Sequence, residues 1–229
     1  MREIIFDTET TGFAHDDGDR LVEIGCIEVI NGIPTGKTFQ AYCNPERDSS
    51  PGAEEVHGLT RAFLSEKPFF AEIADDLLAF IGDSPLIAHN ASFDFGFLNM
   101  ELSRCGRDAI CLTRMIDTVA LARKRHPGAK TSLDALCTRY GIDRSHRTKH
   151  GALLDAELLA QVYIELNGGR QIGLELAAEG ALPEVAVVSI PANQRPYRTP
   201  RPHVATAEEL ARHVAFLQTV QSPLWQRAR

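Results

Sequence analysis

Apolar and polar positions over the first 170 residues switch between a period of two and a period near 3.6, which predicts a layered α/β domain. Residues 3–7, with Ile4, Ile5 and Phe6 in succession, read as a short buried strand. "LVEIGCIEVI" at 21–30 reads as a longer strand, Asn31-Gly32 as a hairpin turn, and 37–44 as the antiparallel neighbour. A stretch rich in Pro, Ser and Gly predicts a loop over 45–58. Phe70, Ile73, Ala74, Leu77 and Ile81 then recur at spacings of three and four, a helix ended by Gly82. A short strand at "PLIAHN", a helix through "SFDFGFLNMELSRCG" stopped by Gly106, a short strand at "MIDT" and a helical run over 118–125 follow. Thr131 and Asp134 form a T-x-x-D cap and predict a helix over 132–140. Residues 152–166 are a strongly amphipathic helix ended by Gly168-Gly169.

After Gly169 the pattern breaks. Residues 180–203 hold five prolines, and no acid lies between Glu184 and Glu208, the texture of an extended linker. A last helix is predicted over 206–220, with Leu210, Val214, Leu217 and Val220 on one side. A helix that short has no core of its own, so its apolar side reads as a docking surface for another protein, with folding back onto the main domain as the alternative. The organisation expected is a domain at 1–170, a linker at 171–205 and a docking tail at 206–229.

Charge and composition narrow the class. The net charge is −7, but from Gly168 onward seven Arg face five Glu, so the acidic excess lies in the domain. An acidic body does not draw in a polyanion over distance. Action on nucleic acid would need metal ions, local basic contacts or a partner that supplies the grip. The five cysteines form no C-x-x-C pair, which argues against a disulfide framework and a cysteine zinc site and for a reducing, cytoplasmic location. No apolar run is long enough for a membrane span, and the apolar run after Met1, Arg2 and Glu3 is too short for a leader.

The candidate chemistry lies in three separate segments. Asp7 and Glu9 are two apart on an extended strand, so both side chains point to one side. Asn90 and Asp94 bracket a strand-to-helix junction, with Asp94 in the first helical turn; His89 before them reads as a core histidine. His150 and Asp155, if both helical, would point about 140° apart. Gly151 allows another arrangement, with His150 on the preceding loop and Asp155 facing inward from the first turns. Four acids with no sulfur donor suit Mg²⁺ or Mn²⁺. Two such ions, about 3.5–4 Å apart, would relieve the repulsion and clamp a phosphodiester. A histidine is the side chain suited to act as a base near neutral pH, and His150 is the candidate.

"DTETTG" at 7–12, "HNASFD" at 89–94 and "HGALLDA" at 150–156 resemble the three exonuclease motifs of the DEDDh 3′–5′ exonucleases, which have a ribonuclease H-like mixed sheet flanked by helices. The resemblance is closest to the proofreading epsilon subunits of bacterial DNA polymerase III, and "VEIGCIEV", "VHGLT", "KPFFAEIADDLLAFI", "SLDALCTRYGID" and "IELNGG" fall in family order. It covers about 1–170. It implies that Asp7, Glu9, Asp94 and Asp155 ligate two divalent ions and that His150 is the general base. It places Asp7, Thr8, Glu9, Thr10, Gly12, His57, Asn90, Phe93 and Asp155 against the terminal nucleotide. Gly52 stands where the family can carry an acid. In the tail, "QIGLEL" at 171–176, with Gln171, Leu174 and Leu176, is similar to a sliding-clamp-binding peptide, and Leu210, Leu217 and Trp225 fall in the segment that docks on the polymerase catalytic subunit. The implied activity is removal of mispaired 3′ nucleotides as 5′-monophosphates, at the bacterial replisome. A stand-alone RNA-trimming enzyme of the same family and a structural adaptor subunit are the alternatives.

Overall fold

A computed structural model describes residues 1–147, 149–169 and 204–220. The chain divides into two units, Met1–Leu174 and Glu175–Arg229.

The first unit is built on five strands: β1 (Arg2–Thr10), β2 (Leu21–Ile30), β3 (Ile33–Tyr42), β4 (Leu86–Ala88) and β5 (Met115–Asp117), in the order β3-β2-β1-β4-β5. The β1–β2 and β2–β3 pairs are antiparallel; β1–β4 and β4–β5 are parallel. Helices cover the sheet: α1 (Pro51–His57), α2 (Arg61–Leu64), α3 (Phe70–Ile81), α4 (Ala91–Arg104), α5 (Thr118–Arg125), α6 (Leu133–Tyr140) and α7 (Ala152–Leu166). Ile4 and Phe6 of β1 pack with Phe70, Leu77 and Leu98 of α3 and α4; Ile5 packs with Leu136, Ala156 and Leu159 of α6 and α7. Both faces of β1 and β2 are thus buried, which is why these strands read as nearly unbroken apolar runs.

Strand β1 continues past the predicted end at residue 7, so Asp7 and Glu9 lie within the ladder, opposite Gly25 and Glu23 of β2. On its other edge β1 pairs with β4 only at Ile4 and Ile5. From Asp7 onward that edge has no strand partner among the described residues, and α4 begins beside it.

Two expectations are corrected. The predicted loop over 45–58 contains α1: Ser50 Oγ accepts from the Ala53 amide, Pro51 occupies the first turn and Gly58 closes the helix at φ 74°. The Ser, Pro and Gly that read as loop are the caps of a short helix. The cap of α6 is Ser132, whose side chain accepts from Ala135 N, and not Thr131.

One contact sets the position of α7. A Cβ built on Gly25 would lie 2.3 Å from Leu153 N and 2.4 Å from Leu153 Cα. Helix α7 therefore crosses β2 where there is no side chain. Glu23, two residues away on β2, caps it from outside by accepting from Ala152 N at 3.2 Å, since Gly151 offers no side chain to do so. Gly25→Ala is expected to force the helix backbone outward at a cost of about 3 kcal/mol, the upper part of the range for overpacking a core. Urea denaturation checks this; a midpoint equal to wild type would contradict the close contact.

In the second unit, α8 (Ala207–Thr219) starts from a capping box. Thr206 Oγ1 accepts from Glu209 N at 3.2 Å, and the Glu209 carboxylate accepts from Thr206 N at 2.8 Å. Leu210, Val214 and Phe216 are exposed on it, and Leu217 is half-buried.

Candidate active site

Strand β1 carries the first pair of acids. Ile5, Asp7 and Glu9 follow the alternation that faces α7, so both carboxylates meet the start of that helix. Glu9 is 8% exposed, whereas Asp7 keeps part of its surface open. Asp94 arrives from the opposite layer, in the first turn of α4 and 3% exposed. Its Oδ1 accepts from Thr8 Oγ1 at 2.7 Å, which ties α4 to the unpaired edge of β1. Asn90 before it takes the left-handed conformation at φ 67°. Its amide donates to Asp117 Oδ1 at 3.0 Å, and the same oxygen accepts from Val119 N at 2.9 Å.

Helix α7 completes the cluster. Gly151 precedes its first residue, so His150 lies on the loop and Asp155 points inward, 3% exposed. Glu9, His150 and Asp155 each offer a ligand atom, and these atoms lie within 4.8 Å of one another. A buried acid beside Leu158 and Leu159 needs a partner. Asp155 has one in Arg147: Nε donates to Oδ1 at 2.5 Å and Nη2 to Oδ2 at 2.6 Å. Arg147 Nη1 donates to Asp134 Oδ1 at 2.8 Å, and Nη2 lies 2.7 Å from His150 Nδ1.

So much negative charge in so little water shifts the acids upward. Burial, then the charges of Asp94, Glu9 and Asp155, push Asp7 well above the usual carboxylate range, with Arg147 opposing. Glu9 is pushed up to about 8 by burial, Asp155 and Glu23. Burial raises Asp94 to about 7 against the hydrogen bond from Thr8. Such raised acids are what a cation site looks like before its cation is counted. The donor set of carboxylates and one imidazole, without thiolate, fits Mg²⁺ or Mn²⁺, and Asp7, Glu9, Asp94, Asp155 and His150 are the residues that could hold them.

The remaining predicted residues have defined places. Thr10 is buried and its hydroxyl donates to the Gly12 carbonyl at 2.6 Å. A Cβ on Gly12 would meet the Asp19 carboxylate at 2.2 Å, so glycine there makes room for Asp19, which accepts from Thr11 Oγ1 at 2.9 Å. His57 is 5% exposed; Nδ1 accepts from Leu59 N, and Nε2 has no hydrogen-bond partner among the described residues. Burial lowers its pKa, so the ring is favoured neutral. Phe93 packs against Phe97 with centroids 4.9 Å apart and the rings tilted by 51°, and Phe97 meets His15 edge-on at 5.5 Å. His89 bonds Thr118 Oγ1 at 2.8 Å, in keeping with a core histidine. Gln171, Leu174, Leu176 and Trp225 lie outside the described residues, and Leu210 and Leu217 belong to the second unit.

Sequence reasoning missed Glu23, Arg147 and Asp117. Glu23 sits at an alternate position of an apolar strand facing Glu9, a signal available in "LVEIG". Arg147 left no signal, being one of several basic residues around 144–149.

Comparison with known proteins identifies the family. The sequence model of the RNase T-type family, described as an exonuclease, matches residues 4–163. The DNA polymerase III epsilon subunit of Rickettsia felis is 47% identical over 226 residues, covering 96% of this chain and 97% of the relative. That of Escherichia coli K12 is 44% identical over 236 residues, covering 98% and 97%. Among solved structures, exonuclease X in complex with 5′-overhanging duplex DNA superposes with a TM-score of 0.56 at 29% identity, over 71% of this chain and 89% of that one. A zinc-bound complex of E. coli exonuclease I with single-stranded DNA superposes at 0.62 and 19% identity, over 74% and 41%, a likeness of fold. With its exonuclease domain spanning residues 4–163 and its length matched nearly end to end by these relatives, the chain belongs to the exonuclease family of DNA polymerase III epsilon subunits.

Proposed function

We propose that this chain is a proofreading 3′–5′ exodeoxyribonuclease that hydrolyses the terminal phosphodiester of a primer and releases nucleoside 5′-monophosphates. The observation that carries the reading is the convergence of Glu9, His150 and Asp155 within 4.8 Å, beside Asp7 and Asp94, from three distant segments. Two Mg²⁺ or Mn²⁺ ions on the four carboxylates would supply Lewis acidity at the scissile phosphate and at the leaving 3′ oxygen. His150, exposed on its loop, would take the proton of the attacking water. Thr8 holds Asp94 in position, and Phe93 offers a half-buried ring to the terminal base. Thr10, Gly12, His57 and Asn90 shape the wall around the sugar and phosphate. A mispaired terminus suits this site because it unpairs at lower cost.

The domain is acidic, so delivery of DNA falls to partners. The apolar side of α8, with Leu210 and Leu217, and Trp225 beyond it, dock on the polymerase catalytic subunit, and 171–176 bind the sliding clamp. Tethering then supplies primer ends at high effective concentration. The expected place of work is the cytoplasm, at the replisome. Among the described residues no helix is long and apolar enough to cross a membrane.

The test is Mg²⁺-dependent release of mononucleotides from matched primer, mismatched primer and RNA. Faster release from the mismatched primer than from the matched one is expected. Turnover of RNA alone would overturn the DNA reading in favour of an RNA-trimming enzyme, and no turnover of any substrate would favour an adaptor.

A further inference from the structure

Arg147 is the one cation that touches the acid cluster among the described residues, and its side chain is 10% exposed. It grips Asp155 through both oxygens in a bidentate fork at 2.5 and 2.6 Å. The fork takes one lone pair on each oxygen, so a divalent ion bound to either would have to crowd against the guanidinium. Two cations do not share one carboxylate at such range without strong repulsion. Arg147 also has somewhere else to stay. Its Nη1 rests on Asp134 at 2.8 Å, in the first turn of α6, and that carboxylate is half exposed and also takes Arg144 at 2.9 Å.

The third contact links this grip to His150. His150 Nδ1 lies 2.7 Å from Nη2 and 3.2 Å from Asp155 Oδ2, so guanidinium, carboxylate and imidazole form one cluster. Release of Asp155 by Arg147 withdraws Nη2 from the ring as well, because the same nitrogen serves both.

We propose that Arg147 is a positioning residue that competes with divalent metal for Asp155: it holds the acid and Nδ1 of His150, yields both when the acid turns to a metal ion, and stays anchored on Asp134. The inference rests on the metal-site reading above.

The experiment uses the full chain without DNA. Mn²⁺ affinity is measured by calorimetry and by the electron paramagnetic resonance of free Mn²⁺, at fixed ionic strength. Arg147→Gln is expected to bind Mn²⁺ about five- to twentyfold more tightly, since no fraction of the site is then held closed by the competitor. Arg147→Lys, which keeps the charge and loses the fork, should fall between. In parallel, the Arg147 Nε–H signal of ¹⁵N-labelled wild type, identified by its loss in Arg147→Gln, should move and saturate with added Mg²⁺. Equal or weaker Mn²⁺ binding by a folded Arg147→Gln overturns the proposal while leaving the metal site standing. Should that variant fail to fold, an Nε–H cross-peak assigned by other means and unmoved at saturating Mg²⁺ overturns it equally. Absence of saturable Mn²⁺ binding by the wild type would sink the metal site and this proposal together.

Discussion

Asp7→Asn will abolish nuclease activity and at the same time stabilise the metal-free protein. The two effects have one cause. Asp7 sits in the middle strand of the sheet, among Glu9, Asp94 and Asp155, and its proton is held well above the usual carboxylate range. At pH 8 without metal, the folded chain must either keep that proton against the solvent or ionise beside three other acids. The unfolded chain faces neither cost. Asparagine has the same shape and no charge, so the folded state gains and the melting temperature in EDTA should rise. The gain should shrink as pH falls and vanish near pH 3, below the ordinary Asp value of 3.8, where Asp7 of the unfolded chain is mostly protonated too. With Mg²⁺ the same substitution removes a ligand from the site that carries transition-state charge. Loss of a single such group is expected to cost about 10³-fold in rate. Melting in EDTA at pH 8 and 3, alongside primer degradation with Mg²⁺, tests both halves. A lower melting temperature at pH 8 would contradict the electrostatic picture even if activity were lost.

The second large effect is in the pH dependence of the metal-free wild type. Glu9 moves from 4.5 to about 8 and Asp94 from 3.8 to about 7 on folding, and Asp7 moves the same way. For an acid whose folded pKa is raised, the native state binds more protons than the unfolded one between the two values. Stability therefore falls as pH rises through that window, here from about pH 4 to about pH 8. Several such groups acting together should lower the melting temperature in EDTA by on the order of 10 °C between pH 5 and pH 8. Saturating Mg²⁺ or Mn²⁺, which bind the folded site and not the unfolded chain, should remove most of the loss, and more at pH 8 than at pH 5. Acids held low by arginine, such as Glu28 beside Arg2, act in the opposite direction and only below about pH 4.5. A metal-free melting temperature that rises between pH 5 and pH 8 would refute the argument.

Much of the scaffold was readable from local pattern. The helices at 70–81, 118–125 and 152–166 and the strand at 21–30 are set by spacing and by breakers such as Gly82 and Gly168, so their bounds need no tertiary information. Gly151 was enough to separate His150 from the helix that carries Asp155. Short elements were harder. Helix α1 is mostly caps, and caps look like loop when the apolar stripe between them spans two turns at most. The site's supporting contacts were out of reach for a different reason. Thr8 meets Asp94 across 86 residues and Glu23 meets Ala152 across 129, and neither partner has a local signature. Arg147 lies only eight residues from Asp155, but nothing in a run of basic residues tells which of them turns inward.

The seam between Gly25 and α7 bears on how the protein is made. The helix that brings Asp155 to Asp7 is the last described element of the first unit, and it docks on strands formed by the first thirty residues. A growing chain thus carries Asp7, Glu9 and Asp94 long before it carries their fourth member. At about 5–20 residues per second, roughly 7–30 s of synthesis separate the first acid from the last. During that time the nascent polypeptide has most of a sheet and no complete cluster. Destructive chemistry toward DNA is withheld from the newborn chain by the order of its own translation.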